Sequence, residues 1–139
     1  MKHILVIDDE PALLSLFGQF LESEGYSVAL AADGREGMNL MKQQQPDLVI
    51  TDIMMPEMDG LEVLQEIRSR SPEIPVIAIS GGMKGAPINF LPHAKKMGAL
   101  HVFEKPVALS KLLQTIKELT EGENPDMNQS SSPASGFSK

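Results

Sequence analysis

The chain of 139 residues contains no cysteine and no tryptophan. Without cysteine there is no disulfide framework, no thiolate metal site and no thiol nucleophile. It has one tyrosine, Tyr26, and five phenylalanines, too few aromatics for a base-stacking platform. Positive charge is also scarce: 12 Lys and Arg against 19 Asp and Glu give a formal charge of −7. Nucleic-acid binding needs a basic footprint. The nearest approach to one, Lys95-Lys96, reads as a solvated pair near a helix end. Long apolar runs are missing too. Asp8-Asp9-Glu10 interrupts the first run too early for a secretory leader. No window approaches the roughly 20 apolar residues of a membrane span. These absences together predict a cytoplasmic protein with no membrane and no nucleic-acid partner.

What the chain does have is a set of short apolar runs, each ending in a polar residue. Asp8 and Asp9 follow Ile4–Ile7, Asp52 follows Leu48–Thr51, Ser80 follows Val76–Ile79, and Lys105 follows the run from Leu100 through Glu104. Runs of this length between helical patterns read as buried strands of a parallel sheet.

The predicted order alternates strand and helix five times. Strands are expected at His3–Ile7, Ser27–Ala31, Asp47–Thr51, Pro75–Ile79 and Leu100–Phe103. The first helix spans Pro11–Glu24, with proline in its first turn, an apolar stripe of Leu13, Leu14, Phe17, Phe20 and Leu21, and Gly25 as its stop. Asp33 is a predicted N-cap with Glu36 three residues on, a capping box, and that helix stops before Pro46. A third helix carries Leu61, Leu64 and Ile67 and ends near Ser71-Pro72. A glycine-rich loop, Gly81–Pro87, precedes a short helix at Asn89–Met97, and a last helix covers Leu109–Thr120. Strands alternating with helices imply parallel pairing and right-handed crossovers. From Glu121 the composition turns to Gly, Asn, Pro, Ser and Gln, too polar to offset its ordering entropy. The expected organisation is one domain over 1–120 and a disordered tail over 121–139.

Open parallel sheets bind ligands at the carboxyl ends of their strands. Asp8, Asp9, Asp52, Ser80 and Lys105 should therefore converge on one edge. Three carboxylates in one pocket repel unless a cation sits among them, and hard oxygen donors suit Mg²⁺, or Mn²⁺ in its place. In the strand order 2-1-3-4-5, one of those such sheets adopt, the acidic pair and Asp52 lie side by side. Asp9 and Asp52 would ligate the metal, with Asp8 acting through water. A carboxylate can also act as a nucleophile and form an aspartyl phosphate. Asp52 is the candidate for that role, with Lys105 and Ser80 as partners for the phosphoryl oxygens.

These residues resemble the receiver domains of two-component response regulators. The resemblance is carried by Val6-Ile7-Asp8-Asp9-Glu10, by Asp52-Ile53-Met54-Met55-Pro56-Glu57-Met58-Asp59-Gly60, by Ser80-Gly81 and by Phe103-Glu104-Lys105-Pro106, and covers Lys2 to Thr120. It implies a flavodoxin-like (βα)5 three-layer fold with strand order 2-1-3-4-5. It implies that Asp52 accepts a phosphoryl group from a histidine kinase or phosphotransfer protein, and that the domain catalyses its own phosphorylation and dephosphorylation. Mg²⁺ would be held by Asp9, Asp52 and the Met54 backbone carbonyl. Ser80 and Phe103 would form a coupled switch pair, and the Lys105–Pro106 peptide would be cis. The first helix would dock the kinase. A face formed by the helix at 89–97, the fifth strand and the last helix would bind a downstream protein. A monomer or weak dimer is expected.

The chain departs from that pattern in two respects. Ser80 and Lys105 are 25 positions apart, a few more than is usual in receivers, with the surplus placed in Gly81–Pro87. No output module is recognisable within the 139 residues, so a stand-alone receiver is the expectation. Two other functions are compatible with a strand-end carboxylate cluster. A magnesium-dependent aspartyl-phosphate phosphohydrolase resembling haloacid dehalogenases would need a second Asp two residues after the nucleophile, where this chain has Met54. A phosphorylation-independent interaction domain would be expected to lose the acidic pair or the acceptor, and this chain keeps both. Glu10 reads as a helix-start charge, Asp59-Gly60 as a turn, and His3, His93 and His101 lack ligand spacing.

Overall fold

The computed structural model describes residues 2–53, 60–80 and 101–120, and the side chains of all of these except 60, 61 and 80. The predicted helix at 89–97, the loop at 81–87, Met54 and the tail at 121–139 lie outside the described residues. The chain divides into two units, Met1–Val107 and Ala108–Lys139.

Among its described residues the first unit holds five strands and three helices. The strands are β1 (His3–Ile7), β2 (Ser27–Ala31), β3 (Leu48–Asp52), β4 (Val76–Ser80) and β5 (His101–Glu104); the helices are α1 (Pro11–Ser23), α2 (Gly34–Gln43) and α3 (Gly60–Arg70). All strand pairs are parallel, and the order is β2-β1-β3-β4-β5, as the resemblance implies. Every residue of β1 and β3 is buried, as apolar runs inside a parallel sheet should be. The apolar cluster on one face of the sheet gathers Leu5, Ile7, Val49, Val76 and Ala78 with Met38 of α2 and Val63, Leu64 and Ile67 of α3. Phe17 and Leu21 of α1 are buried as well, and Gly18 brings α1 close to Leu30 of β2.

Local signals explain the helix limits. Pro11 opens α1, and Gly25, at φ +96°, supplies the left-handed residue after its Glu24 cap. The Asp33 side chain accepts the Glu36 N–H at 2.8 Å. Glu36 reaches back to the N–H of Ala32 at 2.9 Å, one residue beyond the N-cap N–H expected in a capping box. Gly37 lies so close to β1 that a Cβ there would meet Ile7 Cδ1 at 2.5 Å.

The strand limits need correction. β3 and β4 run one residue later at both ends than the apolar runs predict, and β5 ends one residue later. Asp52 is thus the last residue of β3, paired with Ile79, and Ser80 is the last of β4, paired with Glu104. Proline 75 lacks an N–H and cannot donate to the ladder, so β4 begins at Val76. At Asp47 the side chain accepts the His3 N–H at 2.8 Å, taking the place of a ladder bond.

The second unit contributes α4 (Leu109–Thr120), whose Leu112, Ile116 and Thr120 are buried. Its Leu112 N–H donates to the Ala108 carbonyl at 3.0 Å and its Thr120 hydroxyl to the Ile116 carbonyl at 2.8 Å. Among the described residues no helix is long and apolar enough to cross a membrane.

Candidate functional site

The carboxyl ends of β1 and β3 are neighbours, so Asp8 and Asp52 meet because the strands that carry them pair. Asp8 follows β1 directly; its N–H donates to the Ala31 carbonyl at 3.0 Å, and its Oδ1 accepts the Glu10 N–H at 2.9 Å. That turn holds Asp8 inward, 1% exposed, and leaves Asp9 on the surface. Asp52 is 3% exposed. One carboxylate oxygen from each of Asp8, Asp9 and Asp52 lies within 4.8 Å of the others.

Lys105 follows β5, the far edge strand, and its side chain crosses to this group. Its Nζ lies 3.0 Å from Asp52 Oδ2, 3.0 Å from Asp8 Oδ2 and 2.7 Å from Glu10 Oε1. The approach to Asp8 Oδ2 is an ion pair without hydrogen-bond alignment, and that buried oxygen has no hydrogen-bond partner among the described residues. Burial pushes the Asp8 carboxyl above its usual range, against the Glu10 N–H and the Lys105 ammonium, which pull it down. For Lys105, burial alone would lower the pKa; the close carboxylates of Glu10, Asp8 and Asp52 overcome it and hold the ammonium charged well beyond its ordinary range.

A buried carboxylate oxygen with no hydrogen bond, beside two further carboxylates, is a donor set of hard oxygens that fits Mg²⁺ or Mn²⁺. The Met54 carbonyl assigned to the same ion falls outside the described residues.

The remaining candidates are placed by backbone alone or in part. Ser80 ends β4, and its side chain is not described. Phe103, half-buried in β5, pairs with Ile79. The Lys105–Pro106 peptide is cis.

Glu10 is the residue that sequence reasoning missed. Read as a helix-start charge, it occupies the N-cap position of α1 but caps nothing with its side chain. Its carboxylate goes to Lys105 instead. The signal was its place in the acidic run Asp8-Asp9-Glu10 at a strand end. Beside that pair lies a cavity of 440 Å³, lined by Glu10, Leu13, Leu16, Phe17, Lys105, Pro106 and Val107.

The family model for the response regulator receiver domain matches residues 4–117. The transcriptional regulatory protein GlrR of Escherichia coli strain K12 is 38% identical over 125 residues, covering 88% of this chain and 27% of that protein. The response regulator MprA of Mycolicibacterium vanbaalenii is 35% identical over 136 residues, covering 98% of this chain and 58% of that protein. The chain thus spans about a quarter to somewhat more than half of the length of these relatives. A response regulator receiver domain from Clostridium thermocellum superposes with a TM-score of 0.79 at 32% identity, covering 86% of this chain and 94% of the other.

Proposed function

Because the chain belongs to the response regulator receiver domain family, we propose that it is a phosphorylation switch whose acceptor is Asp52. Receivers are regulatory modules of two-component systems, and the phosphohydrolase and phosphorylation-independent readings are not favoured beside that match. The observation that carries the proposal is the Lys105 ammonium held 3.0 Å from Asp52 Oδ2, beside two more carboxylates.

Asp52 would act as nucleophile, one carboxylate oxygen attacking the phosphorus of a donor while the donor's leaving group departs with its electron pair. Lys105 would donate to a phosphoryl oxygen as a fixed positive charge. Ser80 would donate to another, and with Phe103 would report the new dianion to the binding surface. Asp9 and Asp52 would hold Mg²⁺ or Mn²⁺ with the Met54 carbonyl, and Asp8 would reach it through water. Bound there, the ion would neutralise charge on the phosphoryl group in transfer and in self-hydrolysis.

Receivers interact with histidine kinases and downstream effectors. For this chain the proposed donor is a histidine kinase or phosphotransfer protein docking on α1. The proposed output is a protein bound at the face of residues 89–97, β5 and α4. GlrR is by name a transcriptional regulatory protein; we propose that the 139 residues here contact proteins and no nucleic acid. They would work in the cytoplasm as a monomer or weak dimer, with residues 1–120 as the receiver and 121–139 as a disordered tail.

The test is incubation with acetyl phosphate, with Mg²⁺ or with a chelator, followed by intact mass measurement of the wild type and Asp52→Asn. A single phosphoryl adduct requiring both Mg²⁺ and Asp52 is expected. Equal uptake by Asp52→Asn would refute the assignment.

A further inference from the structure

An ammonium group has three N–H donors. At Lys105 three carboxylate oxygens surround Nζ, those of Glu10, Asp8 and Asp52. Glu10 and Asp52 accept hydrogen bonds from it and Asp8 is ion-paired with it. A phosphoryl oxygen lies beyond the Asp52 carboxylate oxygen it replaces, so Nζ must shift to follow it and loosen another of these contacts. Asp8 and Asp52 are buried at strand ends, 1% and 3% exposed. Glu10 differs from them. Its side chain is 59% exposed, and the 440 Å³ cavity opens beside it. Water can replace Lys105 at the exposed Glu10 carboxylate at little cost, whereas losing the ammonium costs a buried aspartate more. Glu10 also makes the shortest of the three contacts, 2.7 Å.

We propose that Glu10 is a positioning residue for phosphoryl transfer: it holds the Lys105 ammonium in the unphosphorylated state and releases it to the incoming phosphoryl group. The inference rests on the Asp52 reading above. The chemical step is unchanged: the Asp52–phosphorus bond forms, the bond to the leaving group breaks with its electron pair, and Lys105 keeps its proton. What Glu10 adds is a contact present before transfer and absent in the transition state. A contact of that kind stabilises the ground state alone and slows the reaction. Once the phosphoryl group is in place, Lys105 is bound to it both in the phosphorylated state and during hydrolysis. Glu10 therefore leaves the lifetime of the adduct alone.

The experiment measures two rates, phosphorylation by acetyl phosphate at saturating Mg²⁺ and loss of the adduct after donor removal, for the wild type and three variants. Glu10→Ala removes the contact, Glu10→Gln leaves a neutral acceptor, and Glu10→Asp keeps the charge but shortens the reach. Phosphorylation should quicken by about fivefold in Glu10→Ala, the equivalent of one exposed ion pair, and by less in Glu10→Gln. Glu10→Asp should behave like Glu10→Ala. The lifetime should stay within about twofold of the wild type in all three. Melting curves without metal check that each variant folds; the backbone N–H that caps Asp8 is present in every one.

Three results would overturn the inference while leaving Asp52 as acceptor. They are an unchanged rate in Glu10→Ala, a wild-type rate in Glu10→Asp (simple repulsion of an anionic donor), and parallel changes in rate and lifetime (a general disturbance of the site). No uptake by the wild type at Asp52 would bring down the underlying reading and this inference with it.

Discussion

The Lys105 ammonium hydrogen-bonds Asp52 Oδ2 at 3.0 Å across 53 positions of sequence. The two residues stand at the ends of β5 and β3, which are not neighbours; β4 runs between them. Two strand spacings are about 10 Å, so only a long side chain spans the gap. A short polar residue at position 105 would leave the carboxylates of β1 and β3 without their positive partner. Sheet order and side-chain length together create the site.

Removing that charge tests the relationship. Lys105→Met keeps the stem and deletes the ammonium that faces two buried carboxylates. Urea unfolding without metal should show a loss of about 3 kcal/mol, the usual cost of breaking a buried pair by deleting one partner. The pH dependence has a definite sign. The pKa of Lys105 is raised, so its contribution is fully present below the ordinary value of 10.5 and is lost as pH climbs through the higher folded-state value. On the acid side the deficit of Lys105→Met should shrink as the carboxylates protonate. Equal stability of the two proteins at neutral pH would contradict the account.

Much of this arrangement was legible in the chain. Apolar runs between helical patterns announced a parallel sheet, and the rule for strand ends put Asp8, Asp52 and Lys105 on one edge. What the runs could not show were the true strand ends. Asp52 and Ser80 stay in the ladder because backbone pairing, not side-chain polarity, decides where a strand stops. Nor could they show the partner of Glu10. An acidic residue before Pro11 matches a helix start, and only the fold brings Lys105, 95 positions on, within reach. Strand order was supplied by the resemblance, since alternation alone fits more than one order.

Asp8→Asn should stabilise the metal-free protein. The Asp8 pKa is raised by burial. Its favourable contribution is therefore complete below the ordinary value of 3.8 and is lost as pH rises through the folded-state value. At neutral pH the wild type carries a buried charge that the variant lacks, while the asparagine carbonyl still accepts the Glu10 N–H. In chelator at pH 7 the variant should melt higher, by about 4 °C for each kcal/mol gained. The two curves should converge near pH 3. A variant that melts lower at pH 7 would show that the Lys105 attraction outweighs burial.

The packing of α2 on β1 sits directly beneath Asp8, and Gly37 is its tightest point. A Cβ there meets Ile7 Cδ1 at 2.5 Å and Cγ1 at 2.9 Å. Gly37→Ala gains about 1 kcal/mol of helix propensity but overpacks at a cost of about 1–3 kcal/mol. A net loss of about 1 kcal/mol is expected. Ile7→Val deletes Cδ1, so the same alanine should cost less in that background. A double-mutant cycle by urea unfolding reads the coupling, and strict additivity would contradict the contact.

The three aspartates should separate in a titration with divalent cation followed by thermal melting. An ion that binds only the folded chain adds about 2.7 kcal/mol at a hundredfold excess over its Kd. In the proposed site Asp9 is an exposed ligand, so Asp9→Asn should leave the metal-free melting temperature unchanged. Removing one anionic ligand should raise the Mg²⁺ concentration needed for the same stabilisation by about tenfold. Asp8→Asn should shift both quantities, because Asp8 is buried and paired with Lys105. Asp52→Asn should likewise weaken the metal response. Sodium chloride at matched ionic strength should reproduce none of these shifts. If it reproduced them, the effect would be screening of like charges and not a bound ion.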